Sequence, residues 1–329
     1  MSSLTVSLIQ SNLHWEDKAA NLQQLEKKIL AIERPQLVVL PEMFSTGFSM
    51  KPALLAETMD GPAVQWMREL AARKRVILTG SLIIEEGGHY FNRLIWMLPN
   101  GQLGYYDKRH LFGYAGEHEK YTPGAKRLIA TVNGWRVNLQ VCYDLRFPVW
   151  ARQQLYPAAE GAALEALAKQ AAQQTVLPEQ QDNGSAENHH QPSAAGRTDT
   201  QTAPGSSQIK NTPTAQQPAF SEETVPAEYD LLVYVANWPE RRNHAWKTLL
   251  QARAIENQCY VIGVNRVGND GNNYYHSGDS MLVDPLGEVL FTKAHEEVVY
   301  TTTLEKEKLE GIRSKLPFLK DADDFMISG

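Results

Sequence analysis

Val137-Asn138-Leu139-Gln140-Val141-Cys142-Tyr143-Asp144-Leu145-Arg146-Phe147-Pro148 is the stretch on which the reading of the fold turns. Val137, Leu139 and Val141 alternate with polar residues, as in a half-buried strand. Pro148 suits the first turn of a helix. Cys142 therefore stands at the C-terminal end of a strand, where the chain turns. In α/β proteins ligands bind at that edge, so a thiol there is a candidate nucleophile. Only a small fraction of an unperturbed cysteine is thiolate near neutrality, so a base and an oxyanion partner are also required. The same position suits a small buried hydrophobe. What the other strand ends supply decides between the two.

Outward from this stretch, the first half reads strand, helix, strand, helix, then antiparallel strands. Leu4 to Gln10 alternates as a strand. Asp17 is placed to cap a helix in which Leu22, Leu25, Ile29, Leu30 and Ile32 recur at helical spacing, and Pro35 breaks it. Gln36 to Leu40 is a short apolar run of the buried-strand type, ending in Pro41-Glu42. Gly61-Pro62 opens a second helix, and Val76 to Ile84 is the next strand. Pro99-Asn100-Gly101 and Asn133-Gly134 each sit between alternating runs and predict two hairpins. Further on, Asp230 to Pro239 and Cys259 to Val264 read as buried strands around a helix over 243–257. Ser280 to Phe291 reads as a hairpin, and the charged tail after Leu304 ends in a weak helix. Two sheets with outer helices are the expected packing.

Residues 157–228 do not share this pattern. They hold one aromatic residue, Phe220, and nine acidic residues against three basic ones, which accounts for the whole formal charge of −6. Ala158 to Gln174 could form an Ala-rich helix. From Thr175 onward the segment lacks the apolar surface needed to offset the entropy of ordering. It reads as a low-complexity, disordered insertion in a surface loop, which costs little thermodynamically. The pair His189-His190 within it reads as solvated rather than metal-ligating. The expected organisation is one domain, 1–156 with 229–329, interrupted by this insertion.

With 329 residues, 43% of them hydrophobic, the chain can bury a sizeable core. Its net charge gives no reason to expect nucleic acid or an anionic membrane as partner. Two cysteines, Cys142 and Cys259, rule out a disulfide scaffold and fit a reducing cytoplasm. The N-terminal residues read as a first strand rather than a signal peptide, and no apolar run approaches the ~18 residues that span a bilayer.

Three other residues could serve the thiol. Glu42 ends its strand on the edge expected for Cys142, where partial desolvation makes a carboxylate a stronger base; a loop cap is the competing role. Lys108, in Tyr105-Tyr106-Asp107-Lys108-Arg109-His110-Leu111-Phe112, ends the strand after the first hairpin. A fixed ammonium there could hold an oxyanion, although such a basic cluster is more often solvated. Glu117 could orient Lys108 or a substrate amide; alone it is a surface loop acid.

Leu40-Pro41-Glu42, Tyr106-Asp107-Lys108-Arg109-His110-Leu111-Phe112 and Val141-Cys142-Tyr143-Asp144-Leu145-Arg146-Phe147 resemble the three catalytic motifs of the carbon-nitrogen hydrolase, or nitrilase, superfamily. Asn237-Trp238-Pro239, Ala252-Arg253-Ala254-Ile255-Glu256-Asn257-Gln258, Asn265-Arg266-Val267-Gly268 and Gly278-Asp279-Ser280 fit further family segments. The spelling is most similar to the omega-amidase branch. The resemblance implies an α/β fold, a four-layer α-β-β-α sandwich, and a homodimer. It also implies an amidohydrolase that takes a small-molecule amide, the omega-amide of a dicarboxylic acid, and needs no metal or organic cofactor. Glu42, Lys108 and Cys142 would be catalytic, Glu117 supporting, and the Tyr143 backbone N–H part of the oxyanion site. Asn237 and Trp238 would contact substrate. Arg146 could bind its carboxylate through two parallel hydrogen bonds, or could sit in a structural ion pair. The insertion departs from the family's short connection and could cover the pocket mouth. A nitrilase, N-carbamoyl or aliphatic amidase reaction stays open, as does a catalytically weakened binding module. A redox thiol protein is disfavoured, because there is no Cys-x-x-Cys pair.

Overall fold

In the computed structural model, residues 2–153, 227–323 and 325 are described. The first sheet is built from β1 (Ser3–Gln10), β2 (Leu37–Val39), β3 (Ile77–Glu86), β4 (His89–Met97), β5 (Leu103–Asp107) and β13 (Val298–Glu305). Its order is β13-β1-β2-β3-β4-β5. The second sheet holds β6 (Ile129–Val132), β7 (Trp135–Val141), β8 (Leu231–Ala236), β9 (Tyr260–Asn265), β10 (Val267–Asn269) and β11 (Tyr275–Val283), with β12 (Val289–Ala294) also paired to β11. Each sheet has a parallel centre, β1-β2-β3 in one and β7-β8-β9 in the other, flanked by antiparallel strands. The parallel strands are apolar on both faces because both are covered.

Alternation along the first sheet sorts its side chains into two cores. Leu4, Val6, Leu8, Leu37, Val39, Leu94 and Trp96 pack between the sheets against Val137, Leu139 and Val141. The other face carries Val38, Leu40, Leu78, Leu82 and Ile95, which bury Leu25 and Ile29 of α1 (Lys18–Ala31) and Val64, Met67 and Leu70 of α3 (Pro62–Lys74). On the far side, α5 (Asn243–Asn257) lays Trp246, Leu250 and Ala254 on the second sheet. The result is the expected four-layer α-β-β-α sandwich. Fully burying a Leu or Met side chain contributes about 1.5–3 kcal/mol, so these faces dominate the stability.

Local signals act as the sequence reading expects. The Asp17 side chain accepts from the Ala20 N–H and caps α1, and Gly61-Pro62 opens α3. All three expected hairpins form, β4-β5, β6-β7 and β11-β12. Three elements went unread: the single-turn helix α2 (Pro52–Leu55), the short β10, and β13. The strand β13 closes one edge of the first sheet by pairing along the whole of β1. Helix α4 (Pro148–Ala151) follows the Cys142 turn, and α6 (Lys306–Lys315) follows β13. Most of the expected insertion and its Ala-rich helix lie outside the described residues. Ala227 and Glu228, at its expected end, are buried, and the Arg127 guanidinium bonds Glu228. The described residues resume at Ala227. No described helix is long and apolar enough to cross a membrane.

Candidate active site

Four strand ends deliver the polar residues to one point. β2 ends just before Leu40-Pro41-Glu42, β5 ends at Asp107, β7 ends at Val141 and β8 ends at Ala236. Glu42, Lys108, Cys142 and Asn237 therefore leave the two sheets at the same edge. In the first sheet β4 reverses the direction of β3 and β5 reverses it again, so β5 runs with β2 and both end at one edge; in the second sheet the parallel β7 and β8 end together.

The Cys142 turn is held against its own preference. Cys142 has φ +45°, a left-handed conformation uncommon for a residue with a side chain. A single 3₁₀ turn, Cys142–Arg146, starts there. Buried Asp144 fixes it from several directions. One oxygen accepts from the Val141 N–H at 3.0 Å and from the Tyr106 hydroxyl at 2.8 Å. The other accepts from the His110 N–H at 2.9 Å and lies 2.8 Å from His110 Nδ1. Trp150 Nε1 donates to Tyr106 Oη, and Arg253 Nη2 to the Leu145 carbonyl. The motif around Lys108 and the motif around Cys142 are thus one bonded unit. Tyr143 N–H lies in the first turn of the 3₁₀ segment, where backbone donors lack partners within the helix.

Behind the thiol lies a sealed ionic cluster. Glu42, Lys108 and Glu117 are 0–1% exposed. Lys108 Nζ is 3.0 Å from Glu42 Oε1 and 3.0 and 2.9 Å from the two Glu117 oxygens. Asn92 Nδ2 donates to Glu42 Oε1 at 2.8 Å and to Glu117 Oε1 at 3.3 Å. The Phe112 N–H donates to Glu117 Oε2, and the Asn237 N–H donates to Glu42 Oε2 at 2.8 Å. Every carboxylate oxygen accepts a hydrogen bond, and the Lys108 head group is shared between the two acids. Burial alone would favour neutral Lys108, but Glu117 and Glu42 outweigh it and hold the ammonium well above its ordinary range. Burial pushes the Glu117 carboxyl up despite Lys108. Burial, and next the charge of Glu42, push the Cys142 thiol well above its usual range. Cys142 is therefore a thiol at rest, and its proton has to leave as its sulfur reacts.

Cys142 forms the floor of a cavity of about 420 Å³. Tyr143, Arg146, Asn237 and Trp238 line it, with Phe48 and Phe112 among the apolar walls. Asn237 does more than face the cavity: its N–H and side-chain amide hold both the carboxylate and the main chain of Glu42. The Arg146 guanidinium lies 5.0 Å above the Trp238 ring and has no carboxylate within 4.0 Å among the described residues, so it is not in an ion pair. All eight residues singled out in the sequence gather at this one site. Asn92 was missed, because a lone Asn within a strand gives no chemical signal. Arg241 and Arg242, which also line the cavity, were missed because a basic pair after Pro239 reads as solvated. Among the described residues no group of three or more His, Cys, Asp or Glu could hold a metal ion.

A family profile described as carbon-nitrogen hydrolase matches residues 5–160 and 224–313. The chain belongs to the carbon-nitrogen hydrolase family. Among curated carbon-nitrogen hydrolases, the omega-amidase YafV of Escherichia coli K12 is 33% identical across 99% of this chain and all of its own. A 2-oxoglutaramate amidase of Bacillus subtilis is 24% identical over 96% of both chains. Among solved structures, a CN-hydrolase superfamily protein of Xanthomonas campestris, carrying an arsenic adduct in its active site, superposes with a TM-score of 0.78. It is 36% identical, and each chain is covered in full. The chain is thus similar over its whole length to carbon-nitrogen hydrolases named as amidases.

Proposed function

We propose that this carbon-nitrogen hydrolase is an omega-amidase: it cleaves the terminal amide of small dicarboxylic acid monoamides, of the 2-oxoglutaramate or 2-oxosuccinamate type, to acid and ammonia. The observation that carries the reading is a cysteine that lines the cavity, backed by a buried glutamate and a buried lysine. The names of the relatives supply the substrate class.

The chemistry follows from the charge state. Glu42 takes the Cys142 proton as the sulfur attacks the amide carbon, so no free thiolate has to exist beside two carboxylates. The carbonyl π electrons move to oxygen, where Lys108 and the Tyr143 N–H stabilise the new charge. As the tetrahedral intermediate collapses, the C–N bond breaks and Glu42 passes its proton to the leaving nitrogen, which departs as ammonia. A thioester on Cys142 remains. Glu42 next takes a proton from water, whose oxygen attacks the thioester carbon. Collapse breaks the C–S bond, and the proton returns to sulfur. Glu117 and Asn92 hold Lys108 and Glu42 in register throughout.

Ammonia release from 2-oxoglutaramate, an aliphatic nitrile and an N-carbamoyl amino acid tests the substrate class. The expected result is a kcat/KM at least tenfold higher for the omega-amide; preference for the nitrile or the carbamoyl compound overturns it. Acid-quenched turnover should leave an acyl mass on the peptide that contains Cys142. Wild-type turnover that leaves no such adduct overturns the thioester route.

A further inference from the structure

Three guanidiniums line the cavity with Cys142, and none has a counter-ion within 4.0 Å among the described residues. Arg146 comes from the Cys142 turn, and Arg241 and Arg242 come from the 3₁₀ turn after Pro239. Each lies against an aromatic ring: Arg146 over Trp238 at 5.0 Å, Arg241 over Tyr274 at 4.5 Å and Arg242 over Phe112 at 5.0 Å. None has a carboxylate within 4.0 Å among the described residues. Two acids share the cavity, and neither lies within 4.0 Å of the three guanidiniums. Glu16 bonds Ser49 at 2.7 Å and Lys51 at 3.0 Å, and Asp270 accepts the N–H groups of Asn272 and Tyr274.

Arg242 is the most constrained of the three. It is half-buried, and Trp238 Nε1 donates to its carbonyl at 2.8 Å, so its backbone is tied to the cavity wall. Burial, and next the charge of Arg241, lower its pKa, with Arg146 adding to the effect. Partly desolvated like charges held together without a partner are unfavourable unless an anion joins them. A guanidinium held over a ring keeps donors that can pair with a carboxylate.

We propose that Arg242, with Arg241 and Arg146, is the specificity-determining anion subsite of this enzyme and takes the carboxylate at the non-reacting end of the substrate. This rests on the amidase reading and adds the residues that select the acid. The subsite makes the enzyme discriminate an acidic amide from its neutral isostere, and makes dicarboxylates competitive ligands.

Two measurements test it. The first is kcat/KM for glutaramate and for pentanamide, which differ by a carboxylate in place of a methyl group, in the wild type and in Arg242→Gln, Arg241→Gln and Arg242→Lys. The wild type should prefer glutaramate by at least tenfold. Arg242→Gln should lower that ratio at least tenfold, mainly through KM, and Arg241→Gln by less. Arg242→Lys should recover part of the ratio, because it keeps the charge and loses the paired donors. A ratio unmoved by both Gln substitutions overturns the proposal. The second measurement is glutarate binding to Cys142→Ala, with and without Arg242→Gln, by calorimetry. Glutarate should bind to Cys142→Ala and weaken at least tenfold when Arg242 is replaced; equal affinity overturns the subsite. If no amide is turned over but glutarate binding depends on Arg242, the subsite stands and the amidase reading fails. If amides are turned over without regard to charge, the reverse holds.

Discussion

The two sides of Cys142 treat charge in opposite ways. Behind it, Glu42, Lys108 and Glu117 are sealed from solvent, and every head group has partners within about a hydrogen-bond length. In front of it, Arg146, Arg241 and Arg242 rest on rings and have no counter-ion. A buried ionic cluster survives only if its members satisfy one another, since removing one partner strands the others at a cost of about 3–5 kcal/mol. A cluster at the cavity wall can stay unsatisfied, because water and ligand reach it. The buried side is therefore suited to moving protons, and the open side to choosing what enters.

Replacing the thiol should break the comparison most severely. Cys142→Ala should abolish turnover and leave the thermal midpoint nearly unchanged, as the side chain is small. Cys259→Ala should keep most of its activity, since Cys259 is fully buried in the core and does not line the cavity. Equal losses in the two variants would show that the wrong sulfur has been chosen.

One step down, Glu42→Gln keeps the shape and removes the base, so acylation should slow by about 10²-fold or more. Lys108→Met should lower kcat more than it raises KM, because an oxyanion contact acts mainly in the transition state. An unchanged kcat in Lys108→Met would remove the oxyanion role. A melting curve is needed beside each measurement, because Lys108→Met leaves Glu42 and Glu117 without their cation and Glu42→Gln removes one of the two acids that hold Lys108.

A smaller effect is expected at Asn92, which links the two carboxylates. Asn92→Ala loses hydrogen bonds to charged groups, each contributing about 1.5–3 kcal/mol, so kcat should fall by about tenfold or more with KM little moved. A KM effect alone would place Asn92 with the open side instead.

The smallest effect should come from acidification. His276 also lines the cavity, but burial, and next Arg266, lower its pKa from 6.5 to about 4. It is neutral above about pH 5 and adds no fourth cation, so KM for an acidic amide should be flat from pH 5.5 to 8. The same shift has a stability consequence. Below pH 6.5 the unfolded chain binds the His276 proton and the folded one does not. Stability is therefore full above pH 6.5 and declines toward pH 4, by about 3 kcal/mol at most from this group. Thermal midpoints of His276→Gln should show a shallower acid decline than the wild type; parallel curves would refute the assignment.

Which of these features the sequence exposes depends on how local their cause is. The helix cap at Asp17, the Asn133-Gly134 turn and the strand ending at Cys142 are set by residues next to one another, and each appears as read. Strand β13 is an edge strand whose residues are mostly exposed or half-buried, so it lacks a buried face to announce it. Its partner β1 lies at the other end of the chain. Glu42, Lys108 and Cys142 were legible because each ends a strand, and one edge of the fold collects those ends. Arg241 and Arg242 were not, because a guanidinium becomes unusual only when the ring beneath it and the missing acid beside it are both visible.

The buried cluster sets two acids and one lysine against the thiol, while three guanidiniums line the cavity that the thiol opens into. On the proposed reading, the field inside the cavity favours an amide acid that enters with its carboxylate toward the guanidiniums and its uncharged amide toward Cys142. Hydrolysis on that reading turns the neutral amide into a second carboxylate near Glu42 and Glu117, and like-charge repulsion then favours release of the product.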